Sequence, residues 1–463
     1  MTLRRYERYK DSGIQGLGLV PDHWDVTRLK FIAHVQTGVA KGKDNTGRDT
    51  IEVPYLRVAN VQDGYLDLND IATIEIPADE LPRYRLRAGD VLMNEGGDFD
   101  KLGRGHVWDG SIDPCIHQNH VFAVRPFGAS PQWLNLITGS AYAQFHFMSR
   151  SKQSTNLASI SSTNVMELPV VLPPEREQQC VAAFIEGEAT KIDTLVAEQQ
   201  RLIELLTEKR QAVIAHAVTK GLNRAAPMKD SGVEWLGEVP AHWNVQPLKH
   251  VAVFRSGGTP DKSRLDYWDG DVPWASAKDL KVDDLHDTAD HITDGALEAG
   301  AASLVPAGSV LVVVRGMILA RMFPVVTAMV PMAINQDLKA VTARAGANAD
   351  FLASLLRASS AESLSRLDEA GHGTKALRMD AWGDMRVPVP PLCEQVEIAK
   401  NLKRACALLD AGIRDVECGI ALLQERRTAL ISAAVTGQID VRSATVADTA
   451  PSHAERTPAH AIR

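Results

Sequence analysis

At 463 residues the chain is too long for one ordinary domain, and its 45% hydrophobic and 23% charged content is that of a globular protein with a substantial core. Five scattered cysteines without a C-x-x-C pair argue against a disulfide framework or a cysteine-rich zinc site and fit a reducing cytoplasm. No transmembrane-length apolar stretch and no secretory signal is expected, and a formal net charge of -8 confines any nucleic-acid surface to a local patch on an acidic body.

In chain order, the first informative segment is one that returns. Residues 10–30, KDSGIQGLGLVPDHWDVTRLK, reappear at 229–249 as KDSGVEWLGEVPAHWNVQPLK, with thirteen of twenty-one positions identical; chance gives about one or two. Behind it the runs VPYLRVANV, GDVLMNEGG and HVFAVRP predict strands, and PQWLNLITGSAYAQFHFMS, with Pro131 at its start, predicts a helix. LPVVLPPEREQ (168–178) then leads through Pro173-Pro174 into a long helix. Its a/d positions are read as Ile192, Leu195, Gln199, Leu202, Leu206 and Val213, with charged residues filling most of the remaining surface and Gly221 as the stop. From Asp193 to Thr219 this helix is about 40 Å long.

The second copy follows the same plan. GSVLVVVRG and FPVVTAMVP predict strands and ADFLASLLRASSAESLSRL a helix, and MRVPVPPLCEQ (385–395) repeats the turn. LLQERRTALISAAVT (422–436) repeats LLTEKRQAVIAHAVT (205–219), with Leu409, Val416, Leu423 and Leu430 on the second helix seam and Gly437 as its stop. The offset is 219 residues at the first border and 217 at the others, so one large unit occurs twice. Its interiors share only faint anchors, such as Val53-Pro54-Tyr55 with Val272-Pro273-Trp274. The expected organisation is therefore an N-terminal repeated segment (1–24), a variable globule (25–167) and a spacer helix (168–223). A returning segment (224–243), a second variable globule (244–384) and a second spacer helix (385–440) complete it, before a tail (441–463) whose composition predicts disorder. Each globule is read as mixed α/β. A single amphipathic helix of this length needs a partner, and the other copy supplies one.

Catalytic motifs are missing. There is no phosphate-binding G-x-x-x-x-G-K-[ST], no G-x-G-x-x-G after a strand, no H-E-x-x-H, no G-x-S-x-G, and no aromatic-ended N/D-P-P-Y box. His117 and His120 lie near Cys115, but in a strand they face opposite sides, so no metal ligand and no catalytic residue is nominated.

The variable loops instead offer groups suited to bases and phosphates. The first globule contributes Lys41, Lys43, Asn45, Arg48, Lys101, Arg104, Lys152, Gln153 and Asn156. The second contributes Arg255, Thr259, Lys262, Arg264, Lys278, Arg315, Arg321, Thr374 and Lys375. Arginine and lysine read guanine edges, and asparagine and glutamine read adenine edges. Any one such loop is ordinary polar surface; their clustering in the divergent part of both copies is what suggests DNA. A duplicated coiled-coil scaffold that binds only proteins is the competing class, and the acidic balance favours it slightly.

The duplicated K-D-S-G…L-G…V-P-x-H-W segment, the P-P…E-Q turn into a long helix and the A-V-T helix endings at 217–219 and 434–436 resemble the specificity subunit of a type I restriction-modification enzyme. The runs NEGGDFDKLGRGHVW and CIHQNHVFAVRP also resemble target-recognition domains of that family. The resemblance implies a non-catalytic DNA-reading subunit in which each variable domain reads one half of a bipartite target. It implies two long helices packed antiparallel as a spacer, giving pseudo-twofold symmetry, with two methyltransferase subunits and restriction/translocase subunits as partners. S-adenosylmethionine, ATP and magnesium would then belong to those partners rather than to this chain. Gly412 and Gly419 depart from a well-filled seam and put its tight packing in doubt.

Overall fold

The repeated borders of each copy lie together because one glutamate carboxylate holds them. In the computed structural model, which describes residues 4–42, 45–97, 99, 102–154, 157–369 and 374–442, the chain divides into two units. The first takes residues up to Glu198 and those from Gly419 onward; the second is Gln199–Cys418. Both cuts fall inside the long helices Glu175–Lys220 and Leu392–Val435, so each unit owns the start of one helix and the end of the other. The tail beyond residue 442 lies outside the described residues.

In the first unit Asp25–Arg28 pairs antiparallel with Pro169–Leu172, which brings the His23-Trp24 dipeptide over the first turn of the long helix. There Glu177, 6% exposed, accepts the Trp24 indole N–H at 3.2 Å and the Tyr6 hydroxyl at 2.5 Å, and lies 2.8 Å from His23 Nε2. The second unit repeats the contact: Glu394 accepts from Trp243 at 3.1 Å and lies 2.8 Å from His242 Nε2. The adjoining glutamines also act alike. Gln178 accepts from the Ser130 N–H at 3.0 Å and donates to the Pro173 carbonyl at 2.9 Å; Gln395 accepts from the Asn348 N–H and donates to the Pro390 carbonyl, both at 2.8 Å. The H-W and P-P-x-x-E-Q motifs are thus two halves of one contact, because buried donors need partners.

The helix ends close on the same cores. Ala434 and Val435 are buried with Trp24 and Val181 in the first unit, and Ala217 and Val218 with Trp243 in the second. Gly437 has φ 71°, and a Cβ there would sit 2.3 Å from the Pro21 ring, so only glycine fits this stop.

Between the borders the copies differ in sequence and agree in topology. Val121–Pro126 lies between Ala33–Thr37 and Val91–Asn94, with Gly105–Val107 beyond; Leu338–Ala343 lies between Ala252–Ser256 and Val310–Val313, with Val325–Ala328 beyond. Thr50–Leu56 pairs antiparallel with Ala72–Pro77 and parallel with Ile116–His117; Trp268–Ala275 does the same with Asp290–Ile292 and Met332–Ile334. A small sheet then joins Gly96–Gly97 to the hairpin Lys152–Ser154/Leu157–Ser159, and Arg315–Gly316 to the hairpin Leu367–Glu369/Lys375–Leu377. Both units are mixed α/β. The helix predicted over PQWLNLITGSAYAQFHFMS is two, Pro131–Thr138 and Ala141–Arg150, because Ser140 Oγ accepts the Ala143 N–H at 3.4 Å and starts a new helix after Gly139. The run ADFLASLLRASSAESLSRL likewise divides into Ala349–Ala358 and Ser360–Leu364.

The long helices have 46 and 44 residues, roughly 70 and 65 Å, because their first turns pack into the globules through Val181, Ile185, Ile398 and Leu402. The inward stripe of the first is Ile192, Val196, Gln199, Ile203, Leu206, Arg210 and Val213, and it recurs in the second as Leu409, Ile413, Val416, Ile420, Leu423, Arg427 and Leu430. Alternating steps of four and three residues make this a coiled-coil pattern. Leu195 and Leu202, expected on the seam, are instead 44% and 40% exposed; Val196 and Ile203 take their places. Within the second unit Arg210 Nε lies 2.9 Å from Asp410, and Leu206 faces Gly412, so numbers fall along one helix as they rise along the other. The pairing is antiparallel. Within the first unit Arg427 Nε lies 3.5 Å from Asp193, the same ion pair in the other copy. Gly412 does not loosen the seam, since the Leu206 methyl comes within 3.9 Å of where a Cβ would stand.

Two outcomes follow for stability. Glu177→Ala removes the acceptor of two buried donors, so it should cost about 2–5 kcal/mol and lower the thermal midpoint, with Glu177→Gln recovering part of the loss. Ile203→Asp should cost about 2–4 kcal/mol while Leu202→Asp, one residue away, stays within about 0.5 kcal/mol of the parent; equal midpoints for the two would reject the seam described.

Candidate nucleic-acid interface

Each unit builds the same exposed corner from three loops. In the first unit Gly38 is pressed against the turn after Ile116–His117: a Cβ on it would lie 2.0 Å from the His117 carbonyl oxygen, which is why glycine stands there. Val39 N–H donates to the His117 carbonyl at 2.9 Å and Asn119 N–H to the Val39 carbonyl at 3.1 Å, fixing the Gln118-Asn119-His120 turn against the loop that carries Lys41. Glu95 N–H donates to the His120 carbonyl at 2.9 Å, which adds the Gly96–Gly97 strand and its hairpin to the corner. Glu95 also holds the His120 ring, Oε2 to Nδ1 at 2.8 Å.

The second unit repeats this geometry with other side chains. A Cβ on Gly257 would lie 2.0 Å from the Ile334 carbonyl oxygen, and Gly258 N–H donates to that carbonyl at 2.9 Å. Thr259 Oγ1 donates to the Gln336 side chain. Val314 N–H donates to the Asp337 carbonyl at 2.8 Å, adding the Arg315–Gly316 strand with Lys375 across from Gly316.

The candidates named from the sequence divide into those at the corner and those away from it. Lys43, Lys101 and Asn156 lie outside the described residues. Lys152 and Gln153 are exposed on the corner hairpin. Lys41, Asn45 and Arg48 line an adjoining concavity of about 550 Å³ with Thr50, Ile74 and Glu75. Arg48 is already bound there by Glu80 at 2.7 Å and Asp79 at 3.0 Å, and Asn45 donates to the Glu75 carbonyl at 3.1 Å. Arg104 lies 3.6 Å from Asp63. In the second unit Arg255, Thr259, Arg315, Thr374 and Lys375 gather at the corner, and Lys375 is held by Glu369 at 2.7 Å. Lys262 and Arg321 are exposed. Arg264 is clamped by Asp266 at 2.9 and 2.7 Å and stacked on Tyr267, and Asp266 holds its guanidinium above its ordinary pKa. Lys278 is paired with Asp290 at 2.7 Å.

The sequence reading missed Gln36, Gln118, Asn119 and Gln336. Its available signal was an amide pair at one offset in both copies, Gln118-Asn119 and Asn335-Gln336. No three His, Cys, Asp or Glu side chains converge as metal ligands among the described residues, and no helix among them is long and apolar enough to cross a membrane.

His117 anchors the first turn from below. Its Nδ1 lies 2.7 Å from the Val121 carbonyl, which can only accept, so Nδ1 carries the proton and Nε2 faces the Gln36 amide at 3.4 Å. Burial pushes this imidazole down to about 4, and burial also lowers His106 and His146. The folded state therefore binds fewer protons than the unfolded chain between the ordinary histidine value and about 4. Stability is fully present above about pH 6.5 and should fall by roughly 3 kcal/mol through this window from His117 alone. His117→Ile, the residue at the matching position in the second unit, should flatten the dependence of the thermal midpoint between about pH 7 and pH 5; an unchanged slope would count against a buried neutral imidazole.

Comparison with known proteins adds to this geometry. A family profile described as the type I restriction modification DNA specificity domain matches residues 240–415. The chain is 23% identical over 442 residues to a protein of Methanocaldococcus jannaschii named as the type I restriction enzyme MjaX specificity subunit, covering 94% of this chain and 98% of that one. It is 24% identical to the type I restriction enzyme EcoR124I/EcoR124II specificity subunit of Escherichia coli, over 58% of this chain and 62% of that one. A solved structure concerning complex assembly and conformational transition of the type I R-M system contains a chain of the same fold, with a TM-score of 0.67 and 16% identity over 90% of this chain and 98% of that one. With the profile running through the second globule into its long helix, and one relative aligned almost end to end, the chain is similar over nearly its whole length to the specificity subunits of type I restriction-modification enzymes.

Proposed function

We propose that this chain is the DNA-reading, non-catalytic subunit of a type I restriction-modification assembly, each unit recognising one half of a bipartite, asymmetric target. The observation that carries the reading is the corner built twice on one topology with different polar side chains, since a common frame with unlike reading groups suits a target of two unlike halves. The helices between the globules set the unread gap, and the assembly is completed by two methyltransferase subunits and by restriction/translocase subunits. S-adenosylmethionine, ATP and magnesium serve those partners. The acidic net charge suits a protein whose contact with DNA is local. Cytoplasmic residence accords with this role.

Two manipulations should separate. Exchanging residues 25–167 for the matching segment of a relative should change one half of the methylated sequence and leave the other half and the gap as they were. Inserting four residues near Glu198, roughly 6 Å of helix, should lengthen the preferred gap by one or two base pairs and leave both halves unchanged. Methylation-sensitive sequencing reads both results, and an exchange that rewrites both halves would end the two-reader proposal. The purified chain alone, given S-adenosylmethionine and DNA, should transfer no methyl groups.

A further inference from the structure

The two corners can be compared position by position, because the sheets that carry them have the same register. Gln36 pairs with Ala123 in the first unit and Arg255 with Ala340 in the second; Gly96 and Arg315 begin the matching short strands. Across the turn, Asn119 and His120 correspond to Gln336 and Asp337. The first corner is therefore furnished with amides and a histidine held by Glu95, and the second with two arginines, an amide and the Asp337 carboxylate.

Of the second unit's cations, several are already engaged: Arg264 by Asp266, Lys278 by Asp290 and Lys375 by Glu369. Arg315 is not. Its side chain is exposed and has no ion pair or side-chain hydrogen bond among the described residues, while its backbone is fixed by pairing with Ala376 and by an N–H to the Asp337 carbonyl at 3.4 Å. Two residues further along the chain Met317 is 72% exposed, an apolar side chain left in water. A rigid backbone anchor, a free planar fork of donors and an exposed apolar residue on the same loop fit the edge of a base better than a phosphate, which presents no apolar face.

We propose that Arg315 reads a guanine in the half-site recognised by the second unit, its guanidinium donating to O6 and N7. The assignment rests on the DNA-reading function proposed above and adds to it the kind of base and the residue that selects it.

The test uses the full chain assembled with its methyltransferase subunits and a library of randomised duplexes, with bound sequences read before and after substitution. Arg315→Ala should flatten the preference at one position of one half-site, the half left unchanged by exchange of residues 25–167, with discrimination against other bases falling by about 5- to 150-fold. Arg315→Gln should move the preference at that position from guanine toward adenine. The Arg315 side chain is exposed, so the thermal midpoints of both variants should stay at the parent value. A uniform loss of affinity with base preferences intact would mean a phosphate contact and overturn the assignment, as would a change confined to the other half-site or no change in either. A parent assembly that selects no sequence at all would instead overturn the DNA-reading function itself.

Discussion

A glutamate at the start of each long helix, buried in the first copy and partly buried in the second, organises the rest of the molecule. Glu177 and Glu394 face the indole N–H of Trp24 and Trp243, and satisfying that donor requires the repeated segment at the head of each copy to fold over the helix that ends its globule. The same two tryptophans bury the final turn of the opposite helix. Once each core contains the beginning of one helix and the end of the other, the two helices have one way to run, and the antiparallel ion pairs Arg210–Asp410 and Arg427–Asp193 follow from it.

Much of this frame was legible in the sequence because structural residues had to stay the same in both copies. H-W and P-P-x-x-E-Q recur since each is half of a buried contact that tolerates little change. The helix seam was legible only in part. Leu195-Val196 and Leu202-Ile203 place two apolar residues side by side, and the pattern alone did not say which faced inward. Arg210 and Arg427 on the stripe concealed the true phase, because a charged residue reads as outer surface until its carboxylate partner is known. The corner was harder still. Its position depends on backbone bonds between loops far apart in sequence, such as Asn119 to Val39, which leave no periodic trace.

Charge counting alone overstated what the loops can offer a ligand. Arg48, Arg264, Lys278 and Lys375 are basic and lie on variable loops, yet each already has a carboxylate within about 3 Å. Such pairs shape and stiffen the loops that carry them. A chain with 58 acidic and 50 basic residues can thus keep its surface largely neutralised and leave a few cations uncommitted. Electrostatic attraction is then local and geometric rather than a property of the whole molecule.

The matching positions His117 and Ile334 show that divergence between the copies reached beneath the surface. In the first unit the turn above His117 rests on an imidazole that bonds Val121 below and faces Gln36 at its side; in the second the same turn rests on an aliphatic side chain. A graft of the four residues 117–120 alone into the second unit would bring a buried histidine into a site that has Arg255 where Gln36 should be. The imidazole would then lose its amide neighbour and meet a cation instead. The smallest portion that can be moved intact is therefore the turn together with the strand and glycine that support it, and surface loops are too small a currency for trading one recognition for another.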